Sequence, residues 1–245
     1  MNMDIISYNI RLGLDSCLDD IADAIIDYGP PDILALQEVG HHWNMGERVD
    51  QTQYLANRLK MHGTFCGALK DDHGGQYGIA LLTKAPHDVI SRRDLPRVDD
   101  EQRVCLITRL ETPIPVTVVT SHLSIREPER RQQAQLLKSV MENIAGPAIL
   151  LGDFNARPDS FEYNCLAGSC IDAFAAFGTG PAVTFSVVEP HRQIDYIMVS
   201  KNHWHGQYCH VLRDVRTSDH FPISARVQYK FKSSKIADEL EHKQL

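Results

Sequence analysis

The first stretch of the chain, Asp4–Asn9, alternates in polarity, is rich in β-branched residues, and reads as a strand ending at Asn9. A helical period follows, with Leu18, Ile21, Ala22, Ile25 and Ile26 at i, i+3, i+4, i+7 and i+8. Ser16 is the expected N-cap, with Asp19 three residues on. Gly29-Pro30-Pro31 stops that helix, and Ile33–Leu36 forms a short apolar strand running into Gln37-Glu38. A second helix is expected from about Asp50 to Lys60. After a turn at Gly74-Gly75, Ile79–Thr83, Val104–Leu110 and Val116–Ser121 read as successive strands without helices between them. A long helix then carries Pro128 in its first turn and Leu136, Leu137, Val140, Met141 and Ile144 as its core face. Gly146-Pro147 ends it, and Ala148–Leu151 is a buried strand opening into Gly152-Asp153-Phe154-Asn155. Later strands are expected at Ile194–Val199, about Tyr208–Arg213, and Ile223–Tyr229.

Strand-helix-strand passages mixed with runs of neighbouring strands predict two packed sheets with helices outside, not one doubly wound parallel sheet. One domain over residues 1–229 is expected, followed by a polar, charged, solvated tail from Lys230 to Leu245. A chain of 245 residues, 43% hydrophobic, can bury roughly 70–75% of its unfolded surface without staples. Its apolar runs are strand-sized, far short of the ~18 residues of a membrane helix. The six cysteines form no C-x-x-C pair, and the first residues show no basic-then-apolar leader. Together these predict reduced thiols, a cytoplasmic location, no stable membrane association and no obligate protein partner. The net charge of −7 argues against non-specific grip on duplex DNA, which needs a basic surface.

The informative polar residues share one placement. Asn9, Glu38, His122, Asp153, Asn155, Asp195 and Asp219-His220 each lie in or at the C-terminal end of a strand-like run, or just past one. Four acids, two amides and two imidazoles converging on one rim would suit a hard cation such as Mg²⁺ or Mn²⁺. No thiolate set or clustered histidine spacing favours zinc, and His41-His42 and His203-Trp204-His205 read as loop histidines.

Six pieces carry a resemblance: Ser7-Tyr8-Asn9-Ile10, Leu36-Gln37-Glu38-Val39, Thr120-Ser121-His122-Leu123, Gly152-Asp153-Phe154-Asn155, Ile194-Asp195-Tyr196-Ile197 and Ser218-Asp219-His220. In this order they make the chain resemble the endonuclease/exonuclease/phosphatase superfamily of metal-dependent phosphoesterases, relatives of DNase I, and in particular its compact bacterial members. The resemblance implies a four-layer α/β/β/α sandwich of two mostly antiparallel sheets flanked by helices. It also implies Mg²⁺-dependent hydrolysis of a phosphate ester, a phosphodiester for preference, on a small molecule or a nucleic-acid end.

By the same resemblance Glu38 looks like the principal metal ligand, with Asn9 as ligand or orienting amide and Asp219 as a further metal-side carboxylate. Asp153 would orient or deprotonate the attacking water, Asn155 and His122 would donate to the phosphate, and His220, held and charged by Asp195, would sit at the scissile group. Arg11, Arg103 and Arg126 stand near the expected rim and are candidates to grip a substrate phosphate. Arg130 and Gln133 are expected to anchor the long helix. The Tyr8-Asn9-Ile10-Arg11 opening departs from the Trp-Asn-Val pattern of the abasic-site repair enzymes, and no apolar membrane-dipping hairpin is visible. The runner-up is a DNA or RNA nuclease of the same superfamily. A non-catalytic binding module is remote, because an inactive relative would lack Glu38, the Asp153/Asn155 pair or His220.

Overall fold

The computed structural model describes residues 1–231, so the expected tail lies, beyond residue 231, outside the described residues. Along the chain come β1 (Asn2–Asn9), a single 3-10 turn (Arg11–Gly13), α1 (Leu18–Tyr28), β2 (Ile33–His41), α2 (Gln51–Leu59), β3 (His62–Lys70), β4 (Gln76–Thr83) and β5 (His87–Asp94). Next come β6 (Val104–Leu110), β7 (Val116–His122), α3 (Glu127–Glu142), β8 (Ala148–Asp153), α4 (Phe161–Ala167), β9 (Cys170–Asp172) and α5 (Ala173–Phe177). The last strands are β10 (Asp195–Ser200), β11 (Trp204–Val211) and β12 (Ile223–Tyr229).

Period-2 patterning sorts these elements into layers. In β1, Met3 and Ile5 point to one face while Ile6 and Tyr8 point to the other, and all four are buried. A strand buried on both faces needs a layer on each side. One face packs on a second sheet, the other on α1 and α2. The first sheet runs β11-β12-β1-β2-β4-β3 and the second β5-β6-β7-β8-β10-β9. Among the strands of the described residues, only β1–β2 and β7–β8 pair in parallel. The second sheet buries Val119, Leu150 and Tyr196 against α3 and α4, completing the four-layer sandwich.

Several local expectations need correction. Cys17, in extended backbone, caps α1 in place of Ser16, and Asp20 rather than Asp19 accepts the Cys17 N–H. Ile26 turns outward. The buried face of α3 is formed by Glu129, Gln133, Ala134, Leu137, Val140 and Met141, while Leu136 and Ile144 are only partly covered. The N-terminal half of α3 packs on a loop rather than on apolar surface, so its sockets are polar. Glu129 Oε1 accepts the backbone N–H groups of Val98, Asp99 and Asp100 at 3.0, 2.7 and 2.9 Å. Gln133 accepts from Ser124 N and donates to Pro96 O, and Arg130 donates to Ser124 O and Ile125 O. Two edge strands, β3 and β5, escape the sequence pattern because half-exposed edges lack clean alternation. β11 starts earlier than expected, a bulge at Gly206/Tyr208 having disturbed its period.

Candidate active site

The site follows from the two-residue period. On the faces turned toward each other, β1 presents Met3, Ile5, Ser7 and Asn9, β8 presents Ile149, Leu151 and Asp153, and β10 presents Asp195, Ile197 and Val199. The inter-sheet core is therefore apolar in its middle and ends on polar residues at one rim. Register does the rest: Asp153 lies opposite His122 of β7 on one side and Asp195 of β10 on the other.

Glu38 reaches the same rim by a different device. Strict alternation would send it to the helix side with Leu34 and Leu36, yet Val39 occupies that side. Glu38 is the inserted residue of a bulge between Gln37 and Val39, with φ 55°. Left-handed backbone at a residue with a Cβ costs roughly 1–2 kcal/mol, a strain held in place by the two neighbouring strands. Asn155 takes the same region, φ 49°, more easily because its short amide tolerates it. Gly152 is fixed by close approach: a Cβ there would lie 1.9 Å from Ser121 O of β7. Gly152→Ala is therefore expected to destabilise the fold by ~1–3 kcal/mol, read as a lower midpoint in urea at unchanged slope.

A hydrogen-bond network ties the rim together. Asn9 Nδ2 donates to Glu38 Oε1 at 2.9 Å and to Asp153 Oδ2 at 3.1 Å, and Asn9 Oδ1 accepts the Arg11 N–H. Asp153 Oδ1 accepts the Asn155 N–H at 2.9 Å. His220 Nδ1 lies 2.9 Å from Asp195 Oδ2, and its Nε2 lies 3.7 Å from Asp153 Oδ2. Asp195 Oδ1 is buried with no partner among the described residues.

Charge and burial act on these groups in opposite directions. Burial, reinforced by the charge of Asp195, pushes the Asp153 carboxyl above the ordinary carboxylate range. For His220, burial works against the cation, but Asp195, Asp153 and Asp219 together outweigh it and raise the imidazole to about 10. Burial also raises the Glu38 carboxyl, and the nearby Asp219 charge adds to this against the Asn9 bond. His122 is driven well below its usual value by burial and by the positive charges of Arg103 and His220. It is therefore neutral. Arg103 Nη1 stands 3.0 Å from His122 Nδ1, and a guanidinium can only donate. The ring proton is thus assigned to Nε2, which faces Asp153 Oδ2 at 3.4 Å.

Glu38, Arg103, His122, Asp153, Asn155, Asp219 and His220 line one cleft of about 270 Å³. Asn9 and Asp195 stand behind it, buried. Of the three candidate arginines, Arg103 lines the cleft but is committed to His122. Arg11 is half-exposed, bonded to Asp15 and 3.6 Å from Asp219 Oδ2. Arg126 does not reach the cleft: it sits before the first turn of α3, 4.0 Å from Asp100, beside a separate groove. Sequence reasoning missed Phe185 and Arg192, which also line the cleft. They come from the stretch between α5 and β10, whose Gly, Pro and mixed polarity give no period to read.

These layers and this rim define a phosphoesterase-type sandwich. The chain matches the Endonuclease/Exonuclease/phosphatase family over residues 6–220 and belongs to that family, whose members typically hydrolyse phosphate esters and generally depend on a divalent metal. An endonuclease/exonuclease/phosphatase family protein from Bacteroides thetaiotaomicron superposes with a TM-score of 0.77 at 21% identity, covering 94% of this chain and 99% of that one. A mannosyl-6-phosphatase from Bacteroides thetaiotaomicron VPI-5482 gives 0.74 at 20% identity, over 94% and 100%. The catalytic domain of human Nocturnin, solved with bound sulfate, gives 0.70 at 22% identity, over 94% and 95%. At these identities the likeness speaks for the fold. Among the described residues, no helix is long and apolar enough to cross a membrane.

Proposed function

We propose that this protein is a Mg²⁺-dependent hydrolase that cleaves a phosphate ester, a phosphodiester for preference, by attack of water. The observation that carries the reading is the line Asp195–His220–Asp153: a buried imidazolium between two carboxylates at the floor of an open cleft. The line holds a cation and a base side by side. His220 donates to the phosphate from Nε2, and Asp195 keeps it charged. Asp153, with its affinity for a proton raised, takes the proton of the attacking water through Oδ2.

Two further donors support an anion in the cleft. Asn155 Nδ2 donates to Leu123 O at 3.0 Å, which fixes its amide orientation, and it also meets His122 Nε2 at 3.1 Å. With the ring proton on Nε2, whose approach to Asp153 Oδ2 is long at 3.4 Å, the His122 and Asn155 N–H groups stand side by side and lack a shared acceptor. A phosphoryl oxygen supplies that acceptor, so His122 binds as a neutral donor rather than as a second cation.

The residues present fit a divalent ion. Glu38 and Asp219 are oxygen donors; burial raises the Glu38 carboxyl and the charge of Asp219 adds to it, a cost that a hard cation would relieve. Glu38 would be the main ligand and Asp219 a further carboxylate. Asn9, with its carbonyl held by Arg11 N–H and its amide spent on two carboxylates, orients Glu38. When bound, the ion polarises the phosphoryl group and stabilises the leaving oxygen. The group Asp153, Asp195 and His220 also lies within ligating distance of itself, but the imidazolium already supplies its positive charge.

The test is hydrolysis of bis-p-nitrophenyl phosphate alongside supercoiled plasmid, with Mg²⁺, Mn²⁺ or EDTA, for wild type and His220→Ala. Metal-dependent nitrophenol release, lost in His220→Ala with the plasmid intact, is the expected result. Nicking lost in the same variant would move the reading to a nuclease. Silence on both substrates and on phosphomonoesters would remove the hydrolase reading.

A further inference from the structure

A second concavity of about 300 Å³ adjoins the reactive cleft and shares four of its walls, Ile125, Asn155, Arg192 and Ile194. The two differ in charge. The reactive cleft sets Glu38, Asp153 and Asp219 against Arg103, the shared Arg192 and the His220 imidazolium, whereas its neighbour is lined by Arg130, Arg157 and the same Arg192 against Asp159 alone. In a chain of net charge −7, three arginines around one concavity are a local reversal.

The three are not equivalent. Arg130 is spent: it lies 3.2 Å from the buried Glu162 and donates to two backbone carbonyls. Arg157 is exposed and only 3.6 Å from an equally exposed Asp159, a loose pair screened by water. Arg192 has no carboxylate within ion-pair distance among the described residues. Its Nε donates to His191, and its guanidinium lies over the Phe185 ring at 4.9 Å, leaving both terminal nitrogens uncommitted.

The backbone of Arg192 is nevertheless pinned. Its carbonyl accepts the N–H groups of Thr184 and Phe185, and its own N–H donates to Phe185 O. Phe185 in turn packs tilted against His220, ring centres 4.8 Å apart and planes at 51°, and pairs with it as an isolated bridge. A free guanidinium is thus held at a fixed offset from the imidazole that faces the scissile group, on the wall between the two concavities. Held planar forks suit phosphate oxygens, because bidentate contact adds geometry to charge.

Building on the phosphoesterase reading, we propose that the Arg157/Arg192 concavity is a subsite for a second phosphate group. The substrate is then a phosphate ester that carries another phosphate a few bonds from the one cleaved, as in a nucleotide or sugar bearing two phosphates. A singly phosphorylated ester would leave this wall hydrated and bind more weakly.

The test uses two chromogenic esters that differ only there: thymidine 5′-(p-nitrophenyl phosphate) with and without a 3′-phosphate, at low ionic strength. In wild type the 3′-phosphate is expected to raise kcat/KM by ~10- to 100-fold, chiefly through KM, the range of one or two charge-assisted hydrogen bonds. In Arg192→Gln the ratio between the two esters should fall most of the way to one, and in Arg157→Gln by a smaller factor. Both side chains are exposed, so neither substitution threatens the fold. Taking the ratio within each variant cancels any effect common to both esters. Metal-dependent turnover of both esters at equal efficiency in wild type would overturn the subsite and leave the hydrolase reading standing. A large ratio that survives Arg192→Gln would place the second phosphate elsewhere and equally overturn it. Absence of turnover on both esters would overturn the subsite, and absence of turnover on bis-p-nitrophenyl phosphate, plasmid and phosphomonoesters as well would remove the hydrolase reading with it.

Discussion

Asp153→Asn is expected to lower kcat/KM by ~10³-fold, the scale of removing a positioned general base. The amide keeps the size of the carboxylate and can still accept from Asn9 or Asn155, so the geometry of the rim survives. What it loses is the capacity to take a proton. The pH profile gives the sharper reading. Because burial and Asp195 raise the Asp153 carboxyl, the active carboxylate form is present above that raised value and is lost as pH falls through it. The acid limb of wild-type kcat/KM should therefore lie above the ordinary carboxylate range, and it should vanish from the residual activity of the variant. The alkaline limb belongs to His220, whose cation persists past neutrality toward about 10. An acid limb near pH 4 in wild type, or one retained in Asp153→Asn, would contradict the assignment. Removing a charge whose burial disfavours the folded state should not lower the melting temperature, so inactivity by unfolding is separable.

Glu38→Ala is expected to cost ~10²–10³-fold in kcat at ordinary Mg²⁺ concentrations, comparable to deleting one strong electrostatic contact at the reacting phosphate. It should also move half-saturating Mg²⁺ upward by about tenfold or more. A binding readout stands apart from turnover: any ion that binds the folded state alone raises the melting temperature by mass action. Mg²⁺ should stabilise wild type and do so much less in Glu38→Ala. Equal stabilisation of both proteins would show that the ion sits elsewhere. The substitution leaves the left-handed strain in place, since alanine keeps a Cβ at φ 55°.

Much of this site was legible before any coordinates because its residues stand at the ends of strands. Asn9 and Asp153 close apolar runs and Asp195 opens one that runs antiparallel to β8, so the period already states which face each occupies, and the family motifs then supply their roles. Glu38 was legible by motif alone. Its bulge reverses the face that alternation assigns, so periodicity by itself would have sent it to the helix side. Of the candidate arginines, Arg103 lines the cleft and Arg11 lies beside Asp219, whereas Arg126 stands apart. Proximity in sequence to a strand end does not place a long side chain, and Arg126 is carried off by the start of α3. Arg192 was invisible because its position depends on bridges to Phe185, and Phe185 in turn on its pairing with His220, contacts that no local pattern encodes. The edge strands β3 and β5 went unread because solvent takes the place of a packing partner along much of their length.

The pairing of β1 with β12 sets a timetable for the chain. Asn2 lies opposite Gln228 and Ser7 opposite Ile223, so the strand that ends on Asn9 is bracketed on one side by residues made more than two hundred positions later. Its other neighbour, β2, is available early. During synthesis one edge of β1 therefore stays open on the order of tens of seconds at ordinary elongation rates, a bare ladder that can recruit foreign strands. Ring closures of that span also make folding slow for the protein's size. The rim is assembled last, once His220 and the strand behind it have left the ribosome, so the cleft is incomplete until more than two hundred residues after Asn9 have been made.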